Sequence, residues 1–272
     1  MDLNFGSGYK IFSNEVRDFC IQWKGVNFSD GSKVPMGQNF EPTGKTITRP
    51  EWQSILIENG YFARSVPKEY GGYGGESDII KNRIIASMFS KYKIPPPMGG
   101  QGIDMLVPTL LELGTEEQKK QYIKPTLLGK IIWCQGYSEP NAGSDLAALQ
   151  TKGVLLDGNW VINGQKIWTS TAQYSQMMFC LVRTEPDAKK HAGISYLLIP
   201  MDTKGIEVRP LVDMTLKAGF NEVFFTDVTI PESNIVGKRG EGWAVANATL
   251  GHDRGSLTDP NATINRVSSL VE

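Results

Sequence analysis

Hydrophobic positions recur with two different periods along the 272-residue chain. Up to about residue 130, apolar residues return every three or four positions, which is the spacing of amphipathic helices. Ser13–Trp23 is typical, with Val16, Phe19, Cys20 and Trp23 on one side. Further helices are predicted at Arg49–Gly60, Ser77–Lys91 and Ile103–Leu113, and from Thr115 onwards. Residues 1–130 are therefore predicted to form an all-helical N-terminal domain.

The period falls to two between Ile131 and about Pro231, and turn residues recur about every ten positions. Asp157-Gly158-Asn159 indicates a hairpin, and Asn163-Gly164 indicates a second tight turn. Strands are predicted at Gly153–Leu156, Trp160–Ile162, Met177–Arg183, Ile194–Pro200, Ile206–Leu211 and Glu222–Ile230. Short strands at this spacing predict that residues 131–231 form an antiparallel β-barrel or sandwich.

A helical pattern returns after Pro231, with one helix expected over Ala244–Leu250 and another capped by Asp259-Pro260. Residues 232–272 are predicted to begin a third, helical domain, which we expect to be truncated at Glu272. The fold class is therefore α+β, with a helical domain, a β-domain and the start of a second helical domain.

Composition narrows the possible functions. The net charge of −1 provides no basic surface for nucleic acid, and no apolar run is long enough to span a bilayer. The N-terminus lacks the basic and apolar regions of a secretory signal. Cys20, Cys134 and Cys180 are odd in number and far apart, which favours a reducing compartment. We therefore expect a cytoplasmic protein.

The sequence does not support a phosphate-binding loop or a metal site. Gly44-Lys45-Thr46 is similar to the end of a P-loop, but Asn39 stands where that loop requires glycine. His191 and His252 are too few for a metal cluster with the cysteines, so no metal is expected.

The most informative string is the first motif, Trp133–Asp145, with the sequence WCQGYSEPNAGSD. Backbone N–H groups and hydroxyls at Ser138 and Gly143-Ser144 are suited to stabilise the negative charge that a flavin gains on reduction. An ordinary Ser/Asn/Gly turn is the alternative interpretation of these residues alone.

The second motif is Asn163–Ser170, with the sequence NGQKIWTS. The indole of Trp168 is suited to pack against a flat isoalloxazine ring, beside a hydroxyl that can bind the ring edge. Taken alone, a tryptophan here is more simply part of the core of a β-domain.

Together with Pro67–Gly75 and Gly240–Arg254, the two motifs resemble the acyl-CoA dehydrogenase family in order and approximate spacing. The resemblance implies that FAD is bound between a helical, a β- and a second helical domain. It implies the α,β-dehydrogenation of an acyl-CoA to a trans-2-enoyl-CoA, in lipid metabolism. Electrons would pass to electron-transfer flavoprotein, and the protein would be a homo- or hetero-oligomer.

The resemblance also implies roles for individual residues. Gly143 and Ser144 would lie near the pyrophosphates of FAD and of the substrate, and Arg254 near the CoA end of the cavity. The residues that would contact or flank the flavin ring are Gln135, Tyr137, Ser138, Trp168 and Ser170.

The catalytic base is the open question. Most members of the family supply a glutamate from a segment that corresponds to positions well downstream of Glu272. A minority supply the residue just before the arginine that matches Arg254, which is Asp253 in this chain. A helix-surface acid paired with Arg254 is the alternative that we favour for Asp253. Two other functions stay open, a non-catalytic partner that lends half of a flavin site, and a flavin oxidase or monooxygenase.

Overall fold

The computed structural model describes residues 6–29 and 45–256, with side chains up to His252. These residues divide into two compact units. The first unit comprises residues 6–29, 45–98 and 127–129, and the second comprises residues 99–126 and 130–256. The domain boundaries proposed from the sequence, and the helix expected after Asp259, remain predictions. That helix lies outside the described residues.

The first unit is helical, with α1 at Ser7–Trp23, α2 at Arg49–Glu58 and α3 at Ile79–Tyr92. Two short parallel strands, β1 at Asn27–Phe28 and β2 at Thr46–Ile47, complete it. Aromatic rings fill its core. Phe19 stacks on Phe89 at 6.1 Å between centroids and meets Tyr61 edge-on at 4.8 Å.

Local sequence explains where α2 begins. The Thr48 hydroxyl accepts a hydrogen bond from the Glu51 N–H, and the Glu51 carboxylate accepts one from the Thr48 N–H at 2.7 Å. This reciprocal cap satisfies N–H groups that the helix leaves unpaired. Pro50 stands in the first turn, where its missing N–H costs nothing.

The segment Pro67–Gly75 is a compact loop around a 3₁₀ turn at Lys68–Tyr70. A Cβ at position 72 would lie 2.2 Å from the carbonyl oxygen of Val66, so only glycine fits this close approach of two backbones. The glycines of this segment therefore have a structural reason.

The second unit contains a π-helical turn at Gly102–Leu106, α4 at Val107–Leu113, most of α5 at Glu116–Leu127, and α6 at Gly242–Ser256. Its strands are β3 at Trp133–Gly136, β4 at Lys152–Leu156, β5 at Asn159–Lys166, β6 at Met177–Arg183, β7 at Ile194–Pro200, β8 at Ile206–Leu211, β9 at Phe220–Pro231 and β10 at Ile235–Val236.

These strands form one eight-stranded sheet in the order β10-β7-β6-β4-β5-β9-β8, with β3 paired to β6. The predicted α+β class is confirmed, and most strand pairs are antiparallel as expected. The pairing of β6 with β3 and with β4 is parallel, however. β3 and β6 are not joined by a hairpin, since β4 and β5 lie between them in the chain, so antiparallel pairing is not imposed on them.

The hairpin prediction is confirmed, because Asp157 and Gly158 both have positive φ, 48° and 74°, between β4 and β5. The turn predicted at Asn163-Gly164 is wrong. β5 continues to Lys166 through a bulge opposite β9. The Asn163 side chain donates to Asp227 Oδ1 at 3.0 Å and accepts from the Asp227 N–H at 2.9 Å, so it binds the bulge instead of turning the chain.

None of the helices in the part of the chain that the structure describes combines the length and apolarity needed to cross a bilayer.

Candidate functional site

The first and second motifs meet where β3 and β5 end. The Ile167 N–H donates a hydrogen bond of 2.9 Å to the carbonyl of Ser138. Gln135 lies near the end of β3, and Lys166 is the last residue of β5. Two strings that are distant in sequence thus share one surface of the second unit.

A buried ion pair joins the motifs below that surface. Lys166 Nζ lies 2.8 Å from Glu139 Oε1 and 3.1 Å from the carbonyl oxygen of Tyr137. The Lys166 side chain is 0% exposed and that of Glu139 8%. The Glu139 carboxylate also accepts the N–H groups of Gln150, at 2.6 Å, and Thr151, at 2.8 Å. Glu139 therefore connects three segments of chain.

The ionisation of Glu139 follows from these contacts. Burial by itself raises the pKa of a carboxyl group, but the charge and hydrogen bond of Lys166 outweigh it, helped by the N–H groups of Thr151 and Gln150. The pKa of Glu139 is therefore lowered from its usual value, and its carboxylate is fully committed to structural partners.

Ser138 stands beside this pair with free hydrogen-bonding capacity. It is partly exposed, and neither its N–H nor its hydroxyl makes a hydrogen bond to another described residue. The next N–H, that of Glu139, is occupied by the carbonyl of Ala142 at 3.0 Å, which closes a tight turn through Pro140. The donors of Ser138 are thus available to a ligand.

Trp168 adopts an unusual conformation for its residue type. Its φ is 61°, and its side chain is 61% exposed, with only an edge-on ring contact to Phe220 at 6.0 Å. A bulky residue with positive φ and an exposed ring is strained without a packing reason, which is a mark of functional sites. Hydrogen bonds between Thr169 and Asn221 fix the adjacent backbone.

Tyr137 points inward. Its ring packs edge-on against Phe179 at 5.9 Å and Tyr196 at 6.4 Å, and burial raises the pKa of both phenols. The ring of Tyr137 therefore lies in the core, where its hydroxyl has no hydrogen-bond partner among the described residues. The buried hydroxyls of Tyr196, Thr249 and Thr109 form a chain that connects β7, α6 and α4.

The loop Gly143–Asp145 is exposed. Its far end is held by the Lys190–Asp145 ion pair and by Arg183, which donates to the carbonyl of Ala147 at 2.7 Å. A Cβ at Gly143 would meet no atom within 4 Å. Packing within this chain therefore does not require glycine here, whereas close approach of a ligand to the backbone would.

The remaining predicted residues are placed only in part. Gln135 and Ser170 are partly exposed, as Ser138 is. Asp253 and Arg254 fall within α6, but their side chains lie outside the described residues. Their catalytic and CoA-binding roles stay predictions.

Sequence reasoning missed Glu139, Lys166 and Asn221, which are all buried polar residues of this site. Lys166 stands opposite Val223 on an inward-facing strand position. A lysine at an inward-facing strand position, with an acid in a neighbouring loop, indicates a buried ion pair. The bulge at Gly164 shifts the alternation of inward and outward residues, so the inward position of Lys166 could not be read from a strict period of two.

Comparison with known families and proteins agrees with this arrangement. A family model described as the acyl-CoA dehydrogenase N-terminal domain matches residues 28–130, and one described as the middle domain matches residues 134–228. The acyl-CoA dehydrogenase IpdE1 of Mycolicibacterium smegmatis is 41% identical over 220 residues, 77% of this chain and 56% of the relative. IpdE1 of Mycobacterium tuberculosis is 40% identical, over 82% of this chain and 58% of the relative. The chain thus spans a little over half the length of these relatives.

Solved structures show the same fold. The steroid ACAD Tcur3481-Tcur3483 matches with a TM-score of 0.68 and 29% identity, over 93% of this chain and 63% of that one. The ChsE4-ChsE5 complex from Mycobacterium tuberculosis matches with a TM-score of 0.68 and 29% identity, over 93% of this chain and 61% of that one.

Proposed function

Because this chain belongs to the acyl-CoA dehydrogenase family, we propose that it forms the flavin-binding part of an FAD-dependent enzyme that converts an acyl-CoA to a trans-2-enoyl-CoA. The observation that carries the proposal is the hydrogen bond between Ile167 and Ser138. It brings the free donors of Ser138 and the exposed ring of Trp168 to one surface.

These residues fit a flavin. The Trp168 indole offers a flat apolar face, and the N–H and hydroxyl of Ser138 offer donors to an oxygen or nitrogen that gains charge. Gln135, Tyr137 and Ser170 would lie beside the flavin ring. The open Gly143-Ser144 loop would accept the pyrophosphates of FAD and of the substrate. FAD, when bound, supplies the acceptor for the β-hydrogen as a hydride, and electron-transfer flavoprotein would take the electrons onward.

Proton removal needs a separate carboxylate. Glu139 is unsuited, because its two oxygens are occupied by Lys166, Thr151 and Gln150 and its pKa is lowered. Asp253, beside the substrate-binding candidate Arg254, is the candidate within this chain. The substitution Asp253→Asn tests this. If Asp253 is the base, the variant should no longer exchange the substrate α-proton with solvent, whereas exchange should persist if the base is supplied elsewhere.

A bulky polycyclic acyl group is the substrate class that we propose. The support is that one similar protein, Tcur3481-Tcur3483, which has been solved in two forms, is described as a steroid ACAD. Competition between a steroid-carrying and a straight-chain acyl-CoA of equal carbon number tests this. Preference for the straight chain would contradict the substrate class but not the proposed FAD-dependent dehydrogenation.

An alternative is that the chain lends a partial site to a complementary subunit. The support for this alternative is that one similar structure, the ChsE4-ChsE5 complex, contains two different named components. The experiment is FAD titration of the purified protein, followed by anaerobic addition of acyl-CoA and measurement of flavin bleaching and enoyl-CoA. Bleaching only after a second chain is added would favour the partial site. Oxygen consumption without enoyl-CoA would favour a flavin oxidase or monooxygenase, and failure to bind FAD in every assembly would refute the proposal.

A further inference from the structure

Lys166 is in an environment that a lysine rarely occupies. It is the only buried lysine among the described residues, and its ammonium group contacts Glu139 and the carbonyl of Tyr137. A buried ion pair is weak evidence for stability, because desolvation of two charges offsets much of their attraction. The contact with Tyr137 therefore invites a functional explanation.

That carbonyl belongs to the peptide whose N–H is the free donor of Ser138. No peptide bond in the described chain is cis, so the carbonyl and the N–H of this unit point to opposite sides. Lys166 holds the carbonyl on the buried side, and the N–H of Ser138 has no partner among the described residues.

The next peptide provides an internal comparison. Its carbonyl, that of Ser138, accepts from the Ile167 N–H, and its N–H, that of Glu139, donates to the carbonyl of Ala142. Both ends of that peptide are satisfied by neutral backbone groups. Of these two peptides, the Tyr137–Ser138 peptide is the one that combines a cation at its carbonyl with a free N–H donor.

A cation bound to an amide carbonyl polarises the amide and strengthens its N–H as a donor. We infer that Lys166 is a positioning residue, an inference that rests on the proposed flavin function. Through the Tyr137 carbonyl, it strengthens the Ser138 N–H toward an acceptor that gains negative charge, and so raises the reduction potential of bound FAD. Glu139 opposes this effect, because it shares the charge of the same ammonium group.

The electrons that reduce FAD come from the acyl-CoA substrate of the proposed reaction. The substrate loses its α-hydrogen as a proton to the base and its β-hydrogen as a hydride to FAD, two electrons in all. The Ser138 N–H acts on the charge that accumulates, and it forms no covalent bond.

The test measures the two-electron reduction potential of the FAD-loaded protein, in the assembly in which it purifies, by anaerobic titration against a reference dye. Glu139→Gln should raise the potential, because the charge of Lys166 is then no longer neutralised by a carboxylate and acts more strongly on the Tyr137 carbonyl. The double variant Glu139→Gln/Lys166→Met should lower it below the wild-type value. Lys152→Met, which removes an exposed lysine near the start of β4, is the matched control and should leave it unchanged.

The opposite signs distinguish this role from a structural one. A pair that only holds the motifs together would change FAD affinity or thermal stability, and it would not move the potential in opposite directions. Equal potentials, or two shifts of the same sign, with FAD bound would overturn the inference alone. Failure of the wild type to bind FAD would overturn the proposed function as well. If the double variant does not fold, an unchanged or lowered potential in Glu139→Gln suffices to refute the inference.

Discussion

Asn221 and Thr169 bind each other twice, because the Asn221 side chain donates to the carbonyl of Thr169 at 2.8 Å and the Thr169 N–H donates to the carbonyl of Asn221 at 3.0 Å. Asn221 is completely buried at the start of β9. This reciprocal pair fixes the backbone directly after Trp168, whose φ is positive, and so secures the strained end of the second motif.

Asn221→Ala should therefore lower the free energy of unfolding by about 1–3 kcal/mol, because it leaves the buried carbonyl of Thr169 without this donor. Chemical denaturation measures the loss. Gln150→Ala, which removes an exposed side-chain amide, should stay within about 0.5 kcal/mol of the wild type. Equal stability of both variants would show that the pair does not anchor the motif.

Trp168→Ala should separate binding from stability. Its ring is 61% exposed, so its removal should cost little stability but should weaken FAD binding, measured by flavin fluorescence titration. Trp160→Ala is the matched control, since this ring is 1% exposed and its loss should cost about 3–5 kcal/mol. Normal FAD affinity in Trp168→Ala would contradict the role proposed for the indole.

Gly143→Ala should leave the thermal midpoint unchanged, because its new Cβ would meet no atom within 4 Å. It should weaken FAD or CoA binding if a pyrophosphate approaches this backbone. Gly136→Ala is the contrasting variant, because its Cβ would lie 2.4 Å from Met178 Sδ and should destabilise the fold. Unchanged ligand affinity in Gly143→Ala, measured by calorimetry, would argue against a pyrophosphate at this loop.

The sequence predicted element types well and the contacts of the site less well. The strands Met177–Arg183 and Ile194–Pro200 are confirmed with the same bounds, because each is a continuous apolar run between turn residues. Asn163-Gly164 misled the turn prediction, since a local signal for a turn also suits a bulge and only the pairing of β5 with β9 decides between them. The buried pair of Glu139 and Lys166 depends on that same register, and therefore could not be predicted from residue types alone.

The stability of the protein should depend on Glu139 at acid pH. The pKa of Glu139 is lowered from 4.5, so its contribution is complete above about pH 4.5 and is lost as the pH falls through the folded-state value. Glu139→Gln should therefore flatten the acid side of a plot of unfolding free energy against pH. The wild-type curve, measured in the same buffers, is the reference. A variant at position 139 with an unchanged slope would show that Glu139 titrates alike in the folded and unfolded states.

The hydroxyl of Thr249 couples α6 to the rest of the second unit. It lies 3.0 Å from the Thr109 hydroxyl on α4 and 3.4 Å from that of Tyr196 on β7, and both threonines are completely buried. Thr249→Val keeps the shape of the side chain but leaves the Thr109 hydroxyl without this partner. The Thr109 hydroxyl keeps its hydrogen bond to the carbonyl of Met105 at 2.7 Å, so the loss should be about 0.5–1.5 kcal/mol.

Replacing both threonines by valine should cost less than the sum of the two single changes, because each single change already removes the contact between the two hydroxyls. A double-mutant cycle in denaturant measures this coupling free energy. Strict additivity would mean that the hydroxyls do not interact and that apolar packing alone holds α6. A positive coupling would show that the hydroxyl contact orients the helix that carries Asp253 and Arg254.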